Sequence, residues 1–155
     1  YDKIHLFACN LIKDGKEKKI NESDIYTSGD KLKIISAKKL RIGLGICFDL
    51  RYGQSAHDYR LQGVNLLTYA SAFTVPTGKA HWHVMVRARA IENQCFVVAA
   101  AQWGQHNQRI QTYGHSLIVD PWGEVLADAG EGEKIIVTEL KLKTIEETRS
   151  AVIMY

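Results

Sequence analysis

Cys47 is the residue whose type and position in this 155-residue chain best suit covalent chemistry. It ends the apolar run 40–47 (LRIGLGIC), which predicts a buried strand, and a polar turn at 48–51 (FDLR) follows it. A nucleophile on a sharp strand-to-helix turn lies at the carboxyl end of a sheet, where open α/β folds bind ligands and backbone N–H groups can stabilise an oxyanion. Cysteine is also among the most buried residue types, so position alone leaves a purely packing role open.

The remaining cysteines and histidines show no disulfide or metal-binding pattern. The three cysteines are widely spaced and contain no C-x-x-C pair, which indicates a reducing compartment, and Cys95 is expected to pack in the core. The six histidines include no H-x-x-x-H or H-E-x-x-H arrangement, and His115 is expected to be a hydrogen-bonded structural residue. The sequence therefore predicts no metal and no cofactor.

Charge and composition exclude several classes of partner. With 46% hydrophobic and 24% charged residues, the chain has the composition of one soluble globular domain. The net charge of +3 comes mostly from lysines at 13–19 with no aromatic residue between them, so we expect no nucleic-acid binding. No apolar run is long enough to span a bilayer and nothing near Tyr1 resembles a secretory signal. These features predict no membrane partner and a cytoplasmic protein, with the mitochondrion as the alternative compartment.

The pattern of apolar runs predicts an α/β fold with a mixed sheet. Strands and helices alternate through residue 101, and closely spaced strands follow. Residues after the apolar run 4–11 are expected to form a long surface loop up to Asp30. The remaining predicted strands are 32–35, 40–47, 64–69, 95–101, 116–119, 125–127 and 135–140, and the predicted helices are 55–62, 81–94 and a polar tail after 140. In the helix at 81–94, the expected inward-facing residues are Trp82, Met85, Val86 and Ile91.

Several motifs, in order along the chain, resemble those of the nitrilase (carbon–nitrogen hydrolase) superfamily. Residues 43–51 (GLGICFDLR) resemble its cysteine-nucleophile motif, G-x-x-I-C-Y-D-x-R, and residues 1–7 (YDKIHLF) resemble its lysine motif, Y-R-K-x-H-L-F. Further similar segments are 67–73 (LTYASAF), 80–94 (AHWHVMVRARAIENQ), 97–102 (VVAAAQ) and 113–123 (YGHSLIVDPWG). The resemblance is greatest to the Nit branch, whose members include amidases acting on deaminated glutathione and the Nit portion of Nit–Fhit fusions.

This resemblance implies a four-layer αββα sandwich and a catalytic Glu-Lys-Cys triad. Cys47 would attack an amide carbonyl to give a thioester, while Lys3 and the Phe48 backbone N–H would support the oxyanion. Glu22 aligns with a second, supporting glutamate. The pocket is expected to be lined or flanked by Ser71, Phe73, His81 and Trp82.

The family pattern also extends beyond what this chain contains. The first glutamate of the triad belongs to the family's N-terminal half, before the lysine motif, whereas Lys3 is nearly the first residue here. Residues 1–155 are therefore expected to be a partial domain that lacks the N-terminal half, with little turnover by itself. Residues 52–54 (YGQ) replace the usual F-P-E, which would alter the pocket wall, and the chain stops before the family's basic C-terminal segment, which would weaken a dimer.

These features favour an amidase-type hydrolase of a small linear carboxamide, such as deaminated glutathione, which would yield an acid and ammonia. The full-length form is expected to be a homo-oligomer. The alternative is a non-catalytic nitrilase-like remnant or interaction module. An acyltransferase of the same superfamily, in which an amine replaces water in resolving the thioester, also remains open.

Overall fold

The computed structural model describes residues 1–13, 16–108 and 110–154. The strands are β1 (Ala8–Lys13), β2 (Lys16–Asn21), β3 (Ile34–Ala37), β4 (Leu40–Ile46), β5 (Leu66–Ser71), β6 (Phe96–Ala101), β7 (Trp103–Gln105), β8 (Gln111–Tyr113), β9 (Leu117–Val119) and β10 (Val125–Asp128). The α-helices are α1 (Gly53–Leu61), α2 (Val75–Thr77), α3 (His83–Asn93) and α4 (Lys143–Ala151). A π-helical turn, Gly78–Trp82, joins α2 to α3, and 3-10 turns occupy Glu22–Asp24 and Cys47–Arg51.

A six-stranded mixed sheet forms the centre of the molecule, in the order β10-β9-β6-β5-β4-β3. Strands β4, β5 and β6 are parallel, while β3, β9 and β10 pair antiparallel with their neighbours. The two parallel connections run through α1 and α3, because parallel neighbours need a long crossover. The predicted α/β class with a mixed sheet is confirmed, and the carboxyl ends of three parallel strands meet at one edge.

Two glycines allow β4 to pack closely against aromatic rings. A Cβ atom at Gly43 would lie 2.8 Å from Cγ of Tyr59, and one at Gly45 would lie 2.6 Å from Cε1 of Tyr69. Real Cβ atoms do not approach carbon this closely, so only glycine lets both rings lie on the strand. The other face, with Leu44 among its residues, is half-buried. Our expectation that this strand is buried on both faces is therefore wrong.

Side chains alternate between two apolar layers on opposite faces of the sheet. Leu67 and Val97 face α1 and α3 and belong to the larger core. Leu66 and Phe96, one residue earlier in each strand, face the other way and pack with Ile145 of α4. This alternation is the period-two pattern of a strand with both faces covered.

The structure corrects the predicted long loop between the first apolar run and Asp30. Strands β1 and β2 form an antiparallel hairpin here, with Ala8 opposite Asn21, and residues 14 and 15 between them lie outside the described residues. Strand β1 overlaps the end of the apolar run 4–11, whereas β2 escaped detection because its sequence is polar: Glu17 and Lys19 both face solvent.

Two further expectations about the later part of the chain are wrong. Residues 135–140 form no strand, and Ile135 and Val137 are 94% and 85% exposed, so their apolar pattern does not reflect burial. Trp82, just before α3, and Val86 within it are fully buried as expected, but Ile91 is 46% exposed although its side chain lies close to Gly123. The short β7–β8 hairpin was not predicted.

Within the described residues, no helix has the length and apolar character needed to cross a membrane.

Candidate active site

Cys47 stands on a strained backbone turn immediately after β4. Its φ angle is +46°, a conformation that residues with a side chain seldom adopt, and it opens the 3-10 turn Cys47–Arg51. The Ile46 N–H donates to Oδ2 of Asp49 at 2.9 Å, which closes the turn around the cysteine. The thiol is partly exposed rather than sealed in the core.

Asp49, two residues after the cysteine, binds the N-terminal segment to this turn. Its carboxylate is 3% exposed and accepts from the Tyr1 hydroxyl and the His5 N–H, each at 2.8 Å, besides Ile46. Burial, followed by the hydrogen bond to Asp49, raises the pKa of the Tyr1 phenol well above its ordinary value. These bonds hold residues 1–5, including Lys3, beside the turn.

Lys3 and Glu22 form a close ion pair because the β1–β2 hairpin returns the chain to its start. Nζ of Lys3 lies 2.5 Å from Oε2 of Glu22, and the same oxygen accepts from the Phe7 N–H at 2.7 Å. A backbone hydrogen bond also holds Glu22 near the N-terminal segment, since the Glu22 N–H donates to the Phe7 carbonyl at 2.8 Å. Glu22 therefore keeps a carboxylate next to the ammonium group of Lys3.

Cys47, Lys3 and Glu22 all line one cavity of about 840 Å³ at the carboxyl edge of the sheet. Phe48, Ser71 and Phe73, which we expected at the site, also line it. Oγ of Ser71 is buried and has no hydrogen-bond partner among the described residues, which leaves it available to a ligand. The cavity thus combines a thiol, an ammonium group and a carboxylate, a set able to form and break an acyl bond.

The other two residues expected at the pocket do not line this cavity. Trp82 is fully buried, with its ring 4.9 Å from that of Phe73 and its Nε1–H donating to the His115 carbonyl at 2.6 Å. His81 lies outside the wall, with Nδ1 3.3 Å from Nη2 of Arg51. Trp82 supports the wall from behind, and His81 contacts a residue that lines it.

Arg51 also lines the cavity, although it was not among the predicted site residues. Its guanidinium carbon lies 5.7 Å from the centre of the Phe48 ring and 5.3 Å from that of Phe73. Within the described part of the chain it makes no ion pair with a carboxylate, so it presents a positive charge to the cavity. The signal was present in the sequence, as the arginine of FDLR directly after the cysteine.

Helix α3 holds the end of the cysteine turn through Arg89. This buried arginine donates from Nε to the Leu50 carbonyl at 2.9 Å, and its Nη1 lies 2.6 Å from Oε1 of Glu92. The Leu50 carbonyl near the end of the turn is thereby satisfied by a charged donor. The geometry of the cysteine turn therefore depends on α3 as well as on β4.

Comparison with known proteins identifies the family. The carbon-nitrogen hydrolase family model matches residues 1–150. The chain is 52% identical over 148 residues to a nitrilase and fragile histidine triad fusion protein, NitFhit, of Drosophila melanogaster, covering 94% of this chain and 31% of that protein. It is 41% identical to a deaminated glutathione amidase of Yersinia enterocolitica, covering 94% of this chain and 51% of that protein.

A solved structure is similar over nearly the whole chain. The crystal structure of the Caenorhabditis elegans NitFhit protein superposes with a TM-score of 0.89 at 41% identity, covering 97% of this chain and 36% of that one. The chain belongs to the carbon–nitrogen hydrolase family, and its fold is the nitrilase fold seen in that structure. It spans between about a third and a half of the length of these relatives.

Proposed function

We propose that the protein containing this chain is an amidase that hydrolyses a small linear carboxamide, such as deaminated glutathione, to an acid and ammonia. The observation that carries the proposal is the shared cavity, which is lined both by Cys47 on its strained turn and by Lys3 paired with Glu22. The similarity to a protein named deaminated glutathione amidase supports this choice of substrate.

In the first half-reaction, Sγ of Cys47 attacks the amide carbonyl carbon as the thiolate, and the carbonyl electron pair moves onto oxygen. The ammonium group of Lys3 and the N–H of Phe48 stabilise the resulting oxyanion. When the carbonyl re-forms, the carbon–nitrogen bond breaks and the nitrogen takes up a proton and leaves as ammonia. The product on the enzyme is a Cys47 thioester.

In the second half-reaction, water adds to the thioester, the carbon–sulfur bond breaks, and the free acid leaves. Both steps need a carboxyl group that gives and takes protons. We assign Glu22 to support instead, because Lys3 and the Phe7 N–H already engage its carboxylate. The family resemblance places the proton-carrying glutamate ahead of the lysine motif, and residues 1–155 would then be part of a domain. We therefore expect little or no turnover by the 155-residue chain alone.

The nucleophile is tested by ammonia release from the full-length protein. Cys47→Ala should lower kcat/KM at least about 1,000-fold, because no other group in the mechanism forms the thioester. Cys9→Ser is the matched control, since Cys9 lies on the β1–β2 hairpin, and it should retain the original rate. Unchanged release by Cys47→Ala would remove Cys47 from the mechanism and favour the non-catalytic alternative.

We further propose that Arg51 binds a carboxylate of the substrate. It lines the cavity against Phe48 and Phe73, and its guanidinium has no carboxylate partner among the described residues, which is a geometry suited to an anionic group. Arg51→Met should raise KM for a carboxylate-bearing amide about 10- to 100-fold, the loss expected for a charged hydrogen bond. KM for a neutral amide of the same length should stay within about twofold in that variant, and Arg51→Lys should recover part of the loss. An equal rise in KM for both amides would contradict this assignment.

We also propose that the protein forms a homo-oligomer in a reducing compartment, the cytoplasm or the mitochondrion. Leu61 of α1, and Val84 and Ile91 of α3, are exposed apolar side chains on the helical layer, which supports a contact between copies. The three cysteines are free thiols, which supports a reducing environment. Light scattering at several protein concentrations tests the assembly, and a monomer throughout would overturn it.

A further inference from the structure

A cluster of three metal-ligating side chains lies outside the cavity of Cys47. His83 begins α3, His115 follows β8, and Asp128 ends β10, and one ligand atom from each lies within 4.8 Å of the others. None of the three is among the described residues that line the Cys47 cavity. The sequence predicted no metal site because these residues share no motif spacing. Only the fold brings them together.

The distances within the cluster suit a transition-metal ion. Oδ2 of Asp128 lies 3.0 Å from Nε2 of His83 and 3.1 Å from Nδ1 of His115. In a tetrahedral site with metal–nitrogen and metal–oxygen bonds of about 2.0–2.1 Å, neighbouring ligand atoms are about 3.3–3.4 Å apart. Each imidazole nitrogen therefore needs to move away from the carboxylate oxygen by only a few tenths of an ångström to admit the ion, and the ligand atoms of the two histidines already lie within 4.8 Å of each other.

Surrounding contacts already orient these ligands. The Gly130 N–H donates to Oδ1 of Asp128 at 2.7 Å, which fixes the carboxylate. The Tyr113 ring stacks on the His115 ring with centroids 4.3 Å apart, and Trp82 holds the His115 carbonyl. Such supporting contacts increase metal affinity because the ligands lose less freedom on binding.

The cluster is also accessible. The side chains of His83, His115 and Asp128 are 34%, 20% and 32% exposed, so an ion can enter from solvent and keep water in its remaining coordination positions. His115 borders a second cavity of about 250 Å³, which Glu133 also lines. Two imidazoles with one carboxylate are a donor set that suits Zn²⁺ and other imidazole-binding divalent metals better than Ca²⁺ or Mg²⁺.

We propose that His83, His115 and Asp128 form a binding site for a divalent transition-metal ion, for which Zn²⁺ is the probe. Binding joins the start of α3, the β8–β9 connection and the end of β10 through one ion. Because the ion binds the folded arrangement and the unfolded chain lacks that arrangement, Zn²⁺ stabilises the folded protein. The competing interpretation is that the Asp128 carboxylate only accepts hydrogen bonds from the imidazoles of His83 and His115 and binds no metal ion.

Calorimetric titration with Zn²⁺ tests the site in the full-length protein carrying Cys9→Ser and Cys47→Ser, which removes the two accessible thiols as competing ligands. We expect one equivalent to bind with a dissociation constant on the order of micromolar or below. His83→Gln and Asp128→Asn, which keep size and polarity, should each weaken binding at least about 10-fold. The control is His57→Ala, an exposed histidine on α1, which should bind like the parent.

Two results would overturn the proposal: no saturable binding by the parent at millimolar Zn²⁺, or equal affinity in His83→Gln and the parent. A spectroscopic measurement covers the case in which the variants do not fold. With ¹⁵N-labelled histidine in the parent, one equivalent of Zn²⁺ should shift the ring signals of His83 and His115 and leave those of the other four histidines of residues 1–155 unchanged. A shift of neither signal, or an equal shift of all histidine signals, would also exclude this site.

Discussion

Cys47 differs from the other two cysteines in the backbone that carries it as well as in its exposure. Its φ angle of +46° directs the residue after β4 into the edge of the sheet, where it lines the large cavity. Cys95 is 1% exposed and packs in the larger core, as its apolar neighbours in the sequence predicted. Burial, the largest cause, raises the pKa of the Cys95 thiol to about 12. The same side chain therefore has two different chemical environments in one chain.

Thiol labelling at pH 8 should distinguish these environments. Cys47 should react in the native protein, whereas Cys95 should react only after unfolding, because below its raised pKa the buried thiol stays protonated and inaccessible. The measurement counts labelled thiols with and without denaturant in a Cys9→Ser background. A Cys95 that reacts as fast as Cys47 under native conditions would contradict the packing described here.

At the scale of elements, the cysteine turn is held from three directions. Asp49 connects it to residues 1–5, Arg89 of α3 donates to the Leu50 carbonyl, and β4 leads into it. The N-terminal segment has no regular secondary structure before β1, so its hydrogen bonds to Asp49 and the backbone bond from Gly29 to Lys3 determine where Lys3 lies. Asp49 thus acts on the site by positioning other residues.

Asp49→Asn should destabilise the protein by about 1–3 kcal/mol, because an amide loses the charge and turns a donor toward groups that already donate. The control is Asp58→Asn on α1, where the carboxylate accepts from Gln54 near the surface, and it should change stability by less than about 0.5 kcal/mol. Urea unfolding measures both. Equal effects would show that the buried contacts of Asp49 add no stability.

At the scale of the whole molecule, the sheet is covered by different elements on its two faces. Helices α1 and α3 pack on one face, and α4 contributes Ile145 to the smaller apolar cluster on the other. The extended segment before α4 carries exposed apolar residues, including Ile135. Docking of α4 therefore depends on a few buried side chains rather than on the whole C-terminal region.

Ile145→Ala should lower the free energy of unfolding by about 2–4 kcal/mol, since Ile145 is 6% exposed and its removal leaves a cavity against Leu66 and Phe96. Ile135→Ala makes the same chemical change at a 94% exposed position and should stay within about 0.5 kcal/mol of the parent. Thermal or urea unfolding of the two variants gives the comparison. Similar losses in both would contradict the described packing of α4.

The parts of the fold that the sequence predicted well are those with strong apolar periodicity. The runs that became β4, β5 and β6 are continuous and apolar, and α3 carries buried residues at helical spacing. Strand β2 of the β1–β2 hairpin was missed because a polar strand lacks that signal, and the strand at 135–140 was wrongly predicted because exposed apolar residues imitate it. Apolar periodicity reports burial. It therefore fails for a strand that is exposed and for an apolar residue that faces solvent.

By itself, the sequence determined the sheet core, the cysteine after β4, and the motifs that resemble the carbon–nitrogen hydrolases. These depend on neighbouring residues, so local order along the chain is enough to find them. Only the tertiary structure decided that Asp49 anchors the N-terminal segment, that Arg51 faces the cavity of Cys47, and that His83, His115 and Asp128 meet. Those contacts join residues far apart in the chain, and their distances are set by how the strands and helices pack.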